Sequence, residues 1–279
     1  MSNEKLTVAV IQTAPKQGCP DDNRRMTIAR IEEATDKGAS LIALPECAIS
    51  GYAIDDAKEA LRLAEPIDGP SVSAIQRLCK ASKACVAFGL LERDGDSLYN
   101  SAILVGPNGV IGRHRKSHIV AVAADAHVEK GAAIDIYQAL GIRLGMMICY
   151  EVRFPEIARV MALGGAQMII VVANWPAGAE VNPEIMSPAR AAENNVHLLA
   201  ANRCGTEGTL SFIGKSAIHL PTGERIARAG TGEEIIYAEL TPGPGLTSYS
   251  VRESRYSVDL RGHRRPDLYS SITERNRLA

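Results

Sequence analysis

Runs of apolar, often β-branched residues recur along the chain and predict about nine β-strands. Four segments with helical spacing lie between some of these runs, and three of them begin at or next to a proline, which suits a first helical turn. Two short turns join strands directly, so hairpins are mixed with strand–helix–strand crossovers. This mixture predicts an α/β fold whose sheets carry helices on one face and pack against another layer on the other. The predicted strands lie in segments 6–14, 40–48, 84–92, 101–107, 142–151, 167–176, 197–204, 215–220 and 233–240, the helices in 21–37, 70–82, 155–163 and from Ser187 onward, and the turns at 106–109 and 221–224.

Composition supports a folded, globular chain of one domain. The chain has 279 residues, of which 46% are hydrophobic and 23% are charged, and this balance is typical of globular proteins. α/β folds often extend past roughly 250 residues around one core. We therefore expect a single domain over residues 1–279, with a tail from about residue 241 that wraps over the surface or reaches a partner subunit.

Charge, hydropathy and cysteine content exclude several classes of protein. The formal net charge is -1 and no long run of one sign occurs, which argues against a nucleic-acid partner. The N-terminus has no signal-peptide pattern, and the longest uncharged stretch, 160–179, is interrupted by Gly164, Gly165, Asn174 and Pro176, so we expect no membrane association. Six cysteines are too sparse for a disulfide scaffold and have no metal-knuckle spacing. These features predict a cytoplasmic protein with free thiols.

Three reactive side chains stand at or just after apolar runs that should be buried: Glu46, Lys116 and Cys149. A charge in such a place has either a partner or a role in a site, because burying an unpaired charge is costly. Cys149 also precedes a helix starting near Pro155, which is typical of a nucleophile on a sharp strand-to-helix turn. Taken singly, Glu46 could be a salt-bridge or capping residue, Lys116 part of a solvated face, and Cys149 core packing.

The same segments resemble the nitrilase superfamily of carbon–nitrogen hydrolases. The resemblance covers nearly the whole chain: VAVIQ at 8–12, LPE followed by GY, the basic RK-H segment, CYE-RFPE, ANWP at 173–176, PARAAENNVHLLAANRCG at 188–205 and the terminal RRPDLY. It implies a four-layer α-β-β-α sandwich that pairs with a second copy, with Glu46 as general base, Lys116 as oxyanion stabiliser and Cys149 as nucleophile.

The resemblance also points to residues that support the site. Many family members carry a second glutamate between the lysine and the cysteine; the nearest position here is Asp125, with Glu129 as the other candidate. The backbone N–H of Tyr150 is a candidate second oxyanion donor, as it lies just past the nucleophile. Arg153 and Glu156 are expected to brace the turn after Cys149 by ion pairing. The remaining pocket or supporting residues implied by the resemblance are Tyr52, Glu151, Asn174 and Trp175.

Within the superfamily, the segment CYEVRFPE around Cys149 most resembles the branch of small amidases and ureidases that includes omega-amidase and related Nit proteins. We therefore expect cleavage of a non-peptide C–N bond in a small linear amide or N-carbamoyl amine through a cysteine thioester, with release of ammonia. The alternatives are a nitrilase that converts a nitrile to a carboxylic acid, or a soluble acyltransferase. His114 and His118 have the spacing of a metal pair, but no third ligand is evident nearby. No metal or cofactor is expected, and the expected partners are the small substrate and further copies of the chain, as a homodimer or higher homo-oligomer.

Overall fold

The structure is a computed structural model that describes residues 5–243, 248–251, 254–257 and 259–274. The strands, in chain order, are β1 (Leu6–Gln12), β2 (Leu41–Ala43), β3 (Cys85–Asp94), β4 (Ser97–Gly106), β5 (Gly109–Arg115), β6 (Ile136–Ala139), β7 (Ile142–Ile148), β8 (Met168–Ala173), β9 (His197–Asn202), β10 (Cys204–Glu207), β11 (Leu210–Ile213), β12 (Ala217–His219), β13 (Arg225–Arg228), β14 (Glu234–Leu240), β15 (Ser248–Val251) and β16 (Ser254–Ser257). The helices are α1 (Pro20–Asp36), α2 (Ala57–Leu63), α3 (Pro70–Ser82), α4 (Pro155–Leu163), α5 (Ser187–Asn194) and α6 (Ser270–Thr273).

Two six-stranded mixed sheets form the centre of the fold. Their strand orders are β14-β1-β2-β3-β4-β5 and β13-β12-β9-β8-β7-β6. In each sheet three neighbouring strands are parallel, β1-β2-β3 in the first and β7-β8-β9 in the second, and the outer strands pair antiparallel. The carboxyl ends of the parallel strands are the places where α/β folds bind ligands.

Side-chain alternation along each strand builds the layers. In β1, Val8 and Val10 join the core cluster that contains residues of both sheets, whereas Ala9 and Ile11 join the cluster that contains apolar residues of α1 and α3. This is the period-two pattern of a strand buried on both faces. Helices α4 and α5 pack on the second sheet, against β7 and β9. The predicted four-layer α-β-β-α sandwich is therefore confirmed.

All nine predicted strand segments contain a strand of the structure, and the four predicted helices are present as α1, α3, α4 and α5. Three of the strands that the apolar pattern misses, β5, β6 and β13, are edge strands. An edge strand has one unpaired side and tolerates polar residues, so its apolar signal is weak. β5 shows this well, because its sequence GVIGRHR contains two glycines and three basic or imidazole side chains.

By its contacts the chain divides into two compact units, Met1–Gly245 and Leu246–Ala279. The first holds both large sheets, and the second holds the β15–β16 hairpin and α6. A single domain and a tail that reaches a partner both stay predictions, and residues 244–247, 252–253, 258 and 275–279 of that tail lie outside the described residues. In the described part of the chain, none of the helices combines the length and the apolar character needed to cross a bilayer.

Candidate active site

Glu46, Lys116 and Asp125 meet in a buried cluster. Lys116 directly follows β5, and its Nζ donates to Glu46 Oε1 at 2.7 Å and to Asp125 Oδ2 at 2.5 Å. All three side chains are almost completely shielded from solvent. Cys149, at the end of β7, lines one cavity together with Lys116 and Asp125. The structure therefore brings the three predicted catalytic residues to one place, although the first and the last of them are more than one hundred residues apart in sequence.

The loop that carries Glu46 is held tightly against β3. Gly89 N donates to Pro45 O at 2.9 Å, and Ala48 N donates to Gly89 O at 3.0 Å. A Cβ atom on Gly89 would lie 2.3 Å from Glu46 Cα, so only glycine permits this approach. The position of the Glu46 backbone is thus fixed by a glycine in the neighbouring strand.

Asn100 is a residue of the cluster that the sequence analysis missed. Its Nδ2 donates to Glu46 Oε1 at 2.6 Å and to Asp125 Oδ1 at 2.7 Å, and its backbone carbonyl accepts from Lys116 N at 2.8 Å. A buried asparagine inside an apolar strand was the available signal, because such an amide needs partners. Glu46 Oε1 accepts hydrogen bonds from both Lys116 and Asn100. Its other carboxylate oxygen, Oε2, is buried and has no hydrogen-bond partner among the described residues.

The cluster contains two carboxylates and one ammonium group. Burial raises the pKa of Glu46 above its ordinary 4.5, and the negative charge of Asp125 adds to this, while Lys116 opposes it. For Lys116, burial alone would lower the pKa, but Glu46 and Asp125 outweigh it and keep the pKa well above 10.5. The site therefore combines an ammonium group that is charged at neutral pH with a carboxylate of increased basicity.

Cys149 lies on a sharp turn between β7 and α4. Its φ of 48° is in the left-handed region, and the residues Cys149–Arg153 form a 3-10 turn before α4 begins at Pro155. Such backbone strain is typical of functional sites. Its carbonyl accepts from Trp175 Nε1 at 3.2 Å, and the backbone N–H of Asn174 donates to the sulfur. Burial and the charge of Glu46 raise the pKa of the thiol well above 9.0, against the opposing effects of Lys116 and Asn174.

The cavity beside Cys149 has a volume of about 230 Å³. This is smaller than the roughly 300–1,000 Å³ of pockets for drug-sized ligands. Both polar side-chain atoms of Asn174 are buried and have no protein partner among the described residues, so they are available to a ligand. Its lining residues are Tyr52, Lys116, Val120, Val122, Asp125, Cys149, Tyr150, Arg153, Asn174, Trp175, Pro176, Ala179, Asn182, Leu210 and Phe212.

The remaining predicted site residues fall into two groups. Tyr52, Asp125, Tyr150, Asn174 and Trp175 line the cavity. Glu129 and Glu151 do not line it: the first is exposed, and the second is fully buried in a hydrogen-bond network that includes the backbone N–H of Ile148.

Of the two carboxylates considered as the second acidic residue, the structure places only Asp125 in the cluster. Glu129 lies outside because it accepts from Ser97 Oγ at 2.5 Å and from Tyr99 OH at 3.2 Å on the protein surface.

The expected ion pairing of Arg153 and Glu156 is wrong for the described residues: neither forms a salt bridge there, and Arg153 is an exposed cavity-lining residue.

His114 and His118 point to different partners. His114 Nε2 is 2.7 Å from Glu151 Oε2, and the His118 ring stacks on Phe154 with centroids 4.1 Å apart. Among the residues that the structure describes, no group of three or more His, Cys, Asp or Glu side chains is arranged to hold a metal ion.

Comparisons with known proteins agree with this geometry. The sequence model of the family described as Carbon-nitrogen hydrolase matches residues 7–244. A protein named "Nitrilase" from Pyrococcus abyssi (strain GE5 / Orsay) is 35% identical over 268 residues, covering 95% of this chain and 99% of its own. The "Omega-amidase NIT2" of Xenopus tropicalis is 30% identical over 293 residues, covering 99% of this chain and 100% of its own.

A solved structure shares the fold. A cysteine-to-alanine variant of the Nesterenkonia AN1 amidase from the nitrilase superfamily superposes with a TM-score of 0.80 at 22% identity, covering 98% of each chain. Together with the match over residues 7–244, this resemblance covers the two large sheets and the cavity between their strand ends. The chain belongs to the carbon-nitrogen hydrolase family.

Proposed function

We propose that this protein hydrolyses the C–N bond of a small linear amide or N-carbamoyl amine through a thioester on Cys149 and releases ammonia. The observation that carries the proposal is the buried Lys116 ammonium, which bridges Glu46 and Asp125 next to the cavity that Cys149 lines. A nucleophile, a base and a charged donor at one small cavity are the components that acyl transfer requires.

In the first half-reaction, Cys149 attacks the carbonyl carbon of the substrate. The raised pKa of the thiol keeps it protonated at rest, so its proton has to leave as the S–C bond forms. Glu46 Oε2 takes that proton, because it is the carboxylate oxygen without another partner among the described residues. Lys116 and the backbone N–H of Tyr150 stabilise the oxyanion that develops on the former carbonyl oxygen.

Collapse of the tetrahedral intermediate breaks the C–N bond. Glu46 returns its proton to the departing nitrogen, and ammonia leaves a thioester on Cys149. In the second half-reaction Glu46 takes a proton from water, and the resulting hydroxide adds to the thioester carbonyl. The S–C bond then breaks as Glu46 returns that proton to the sulfur, which restores the thiol and releases the acid. The groups of the protein that act in these steps are the side chains of Cys149, Glu46 and Lys116 and the backbone N–H of Tyr150.

Two relatives support an amide rather than a nitrile as the substrate. The Xenopus tropicalis relative carries the name omega-amidase, and one structure of the Nesterenkonia amidase is described as showing covalent addition of the acetamide moiety of fluoroacetamide at the active site cysteine. Product analysis on matched amide and nitrile pairs tests this. We expect acid and ammonia from the amide of each pair; turnover of the nitrile with no turnover of the amide would contradict the proposal.

We further propose that the preferred amide carries a carboxylate. Arg153 is exposed, lines the cavity and forms no salt bridge with the residues described, while most other lining residues are apolar or aromatic. An unpaired guanidinium is a planar donor suited to a carboxylate. Arg153→Leu should raise the KM for a carboxylate-bearing omega-amide at least tenfold and leave the KM for a neutral amide of equal length within about twofold. Equal changes for both substrates would refute this assignment.

We also infer a cytoplasmic, homo-oligomeric enzyme. All six cysteines are free, as expected in a reducing compartment, and helix α4 exposes Val160 and Leu163. These side chains offer an apolar face to a second copy of the chain. A monomer by light scattering at micromolar concentration would contradict the oligomer.

A further inference from the structure

A second buried carboxylate network lies behind the cavity, centred on Glu151. Its Oε2 accepts from Ile148 N at 2.8 Å and is 2.7 Å from His114 Nε2, while its Oε1 accepts from Ser117 N at 2.8 Å and from Ser117 Oγ at 2.6 Å. The side chain of Glu151 is 0% exposed. The proposed reaction uses none of these groups, so the network needs another explanation.

The network joins the two sheets at the reacting residues. Ile148 precedes Cys149 at the end of β7 in the second sheet, and Ser117 follows Lys116 at the end of β5 in the first sheet. Glu151 therefore receives one backbone N–H from the residue next to each of the two catalytic side chains. Hydrogen bonds within a sheet do not connect one sheet to the other, whereas this carboxylate accepts from a residue at the end of a strand in each sheet.

The chemistry of the network requires a carboxylate. Four donors converge on two oxygens, and a carboxylate is the side chain that only accepts. Burial by itself would raise the pKa of Glu151, but His114 and the hydrogen bonds from Ser117 outweigh it and lower the pKa to about 2. In a glutamine the amide nitrogen would face two donors, so in either orientation a backbone N–H would lose its acceptor.

We propose that Glu151 is a positioning residue that holds the Cys149 turn and the Lys116 loop in register across the two sheets, and that His114 fixes Glu151 through its Nε2–H. This inference rests on the proposed function for its kinetic consequence. Cys149 and Lys116 must reach the same carbonyl group from different sheets, and a misplacement of about 1 Å between reacting groups can reduce turnover by about 10²-fold.

Glu151→Gln tests the proposal, with Glu65→Gln as the matched control. Glu65 is also a buried carboxylate that accepts from a backbone N–H and a hydroxyl, both of Ser71, and from Arg24, but none of these donors is next to a catalytic residue in sequence. We expect Glu151→Gln to lower kcat about 10²-fold with KM within about threefold, and Glu65→Gln to leave both near the wild-type values. If the two variants lose thermal stability equally but only Glu151→Gln loses kcat, a general structural role of Glu151 is excluded.

A pair of variants at His114 separates the hydrogen bond from the charge. Glutamine at position 114 keeps a neutral N–H donor that can reach Glu151, and leucine keeps bulk but no donor. We expect His114→Gln to retain kcat within about threefold and His114→Leu to lower it at least tenfold. Equal kcat values for the two variants would refute the role given to His114.

A measurement that needs no substrate keeps this test independent of the proposed function. Iodoacetamide labelling read by peptide mass spectrometry compares Cys149 with Cys19, the one cysteine that is not buried. Because Lys116 favours the thiolate of Cys149, we expect Glu151→Gln to slow labelling of Cys149 at least tenfold relative to Cys19.

The outcomes of this labelling are distinct from those of the activity assays. An unchanged or faster labelling ratio in Glu151→Gln would overturn the positioning role. If the wild type hydrolyses none of the amides but the labelling ratio falls in Glu151→Gln as expected, the result would count against the proposed function. The positioning role of Glu151 would stand.

Discussion

Replacing Gly89 with alanine perturbs the Glu46 loop without touching any reacting group. The added Cβ would lie 2.3 Å from Glu46 Cα, 2.6 Å from Cys47 N and 2.7 Å from Glu46 C. All three contacts are with backbone, so no side chain can rotate away to relieve them. Gly89 does not have a positive φ, so alanine introduces no backbone strain and the effect is purely steric.

The size of the displacement follows from these distances. Ordinary van der Waals contact begins at 3.4 Å, so the closest contact is more than 1 Å too short. Since Gly89 also exchanges two hydrogen bonds with this loop, the strand and the loop cannot separate without losing them. A shift of about 1 Å at a catalytic group lowers the rate by about 10²-fold, and overpacking of this kind destabilises a protein by about 1–3 kcal/mol.

The assay compares kcat/KM for amide hydrolysis and the thermal unfolding of Gly89→Ala with those of Gly232→Ala. Gly232 has no atom within 4 Å of its added Cβ and no positive φ, so its replacement should change neither quantity. We expect Gly89→Ala to remain folded at 25 °C and to lose about 10²-fold in kcat/KM. A folded Gly89→Ala variant with wild-type kcat/KM would refute the argument that this contact sets the position of Glu46.

Three further predictions concern the buried charges. Because Glu46 acts only when ionised and burial raises its pKa, kcat/KM should rise with pH through a midpoint above pH 4.5. The fall in kcat/KM caused by deprotonation of Lys116 should begin only above pH 10.5. Asn100→Leu removes a hydrogen bond that lowers the pKa of Glu46, so the acid midpoint should move upward and kcat at neutral pH should fall about tenfold or more; an unmoved midpoint would contradict the role given to Asn100. Folding lowers the pKa of Glu151 from 4.5 to about 2, so its ionised form contributes on the order of 3 kcal/mol to the free energy of unfolding. This contribution is present above pH 4.5 and is lost as the pH falls toward 2. Between these pH values, the free energy of unfolding in urea should therefore depend less on pH in Glu151→Gln than in the wild type.

Local patterns in the sequence predicted the strands, the helices and three candidate reactive residues, whereas the four-layer arrangement and the roles of those residues were implied by the resemblance to the nitrilase superfamily. Apolar runs mark the buried strands of each sheet, and Glu46, Lys116 and Cys149 stand out as reactive groups beside such runs. The structure places them together because each follows a strand whose end lies at the same cavity.

Contacts between distant segments could not be predicted in this way. The sequence around Asn100 and His114 does not show whether these side chains belong to an active site or to a buried polar core with all its hydrogen bonds formed. Their partners, Asp125 and Glu151, are tens of residues away in sequence. Arg153 illustrates the opposite case: its neighbours in sequence favoured an ion pair, whereas the turn after Cys149 leaves it exposed at the cavity. The choice between Asp125 and Glu129 likewise depended on which one the 3-10 turn Ala123–His127 buries.

The most direct test of the central claim is ammonia release from a panel of short aliphatic amides, omega-amides and N-carbamoyl amines by the wild type, Cys149→Ala and Cys19→Ala. Cys19 is the control because it is a cysteine that does not line the cavity. The account predicts release by the wild type and Cys19→Ala at equal rates and none above background by Cys149→Ala. Ammonia release by Cys149→Ala at the wild-type rate would contradict a thioester mechanism at this site.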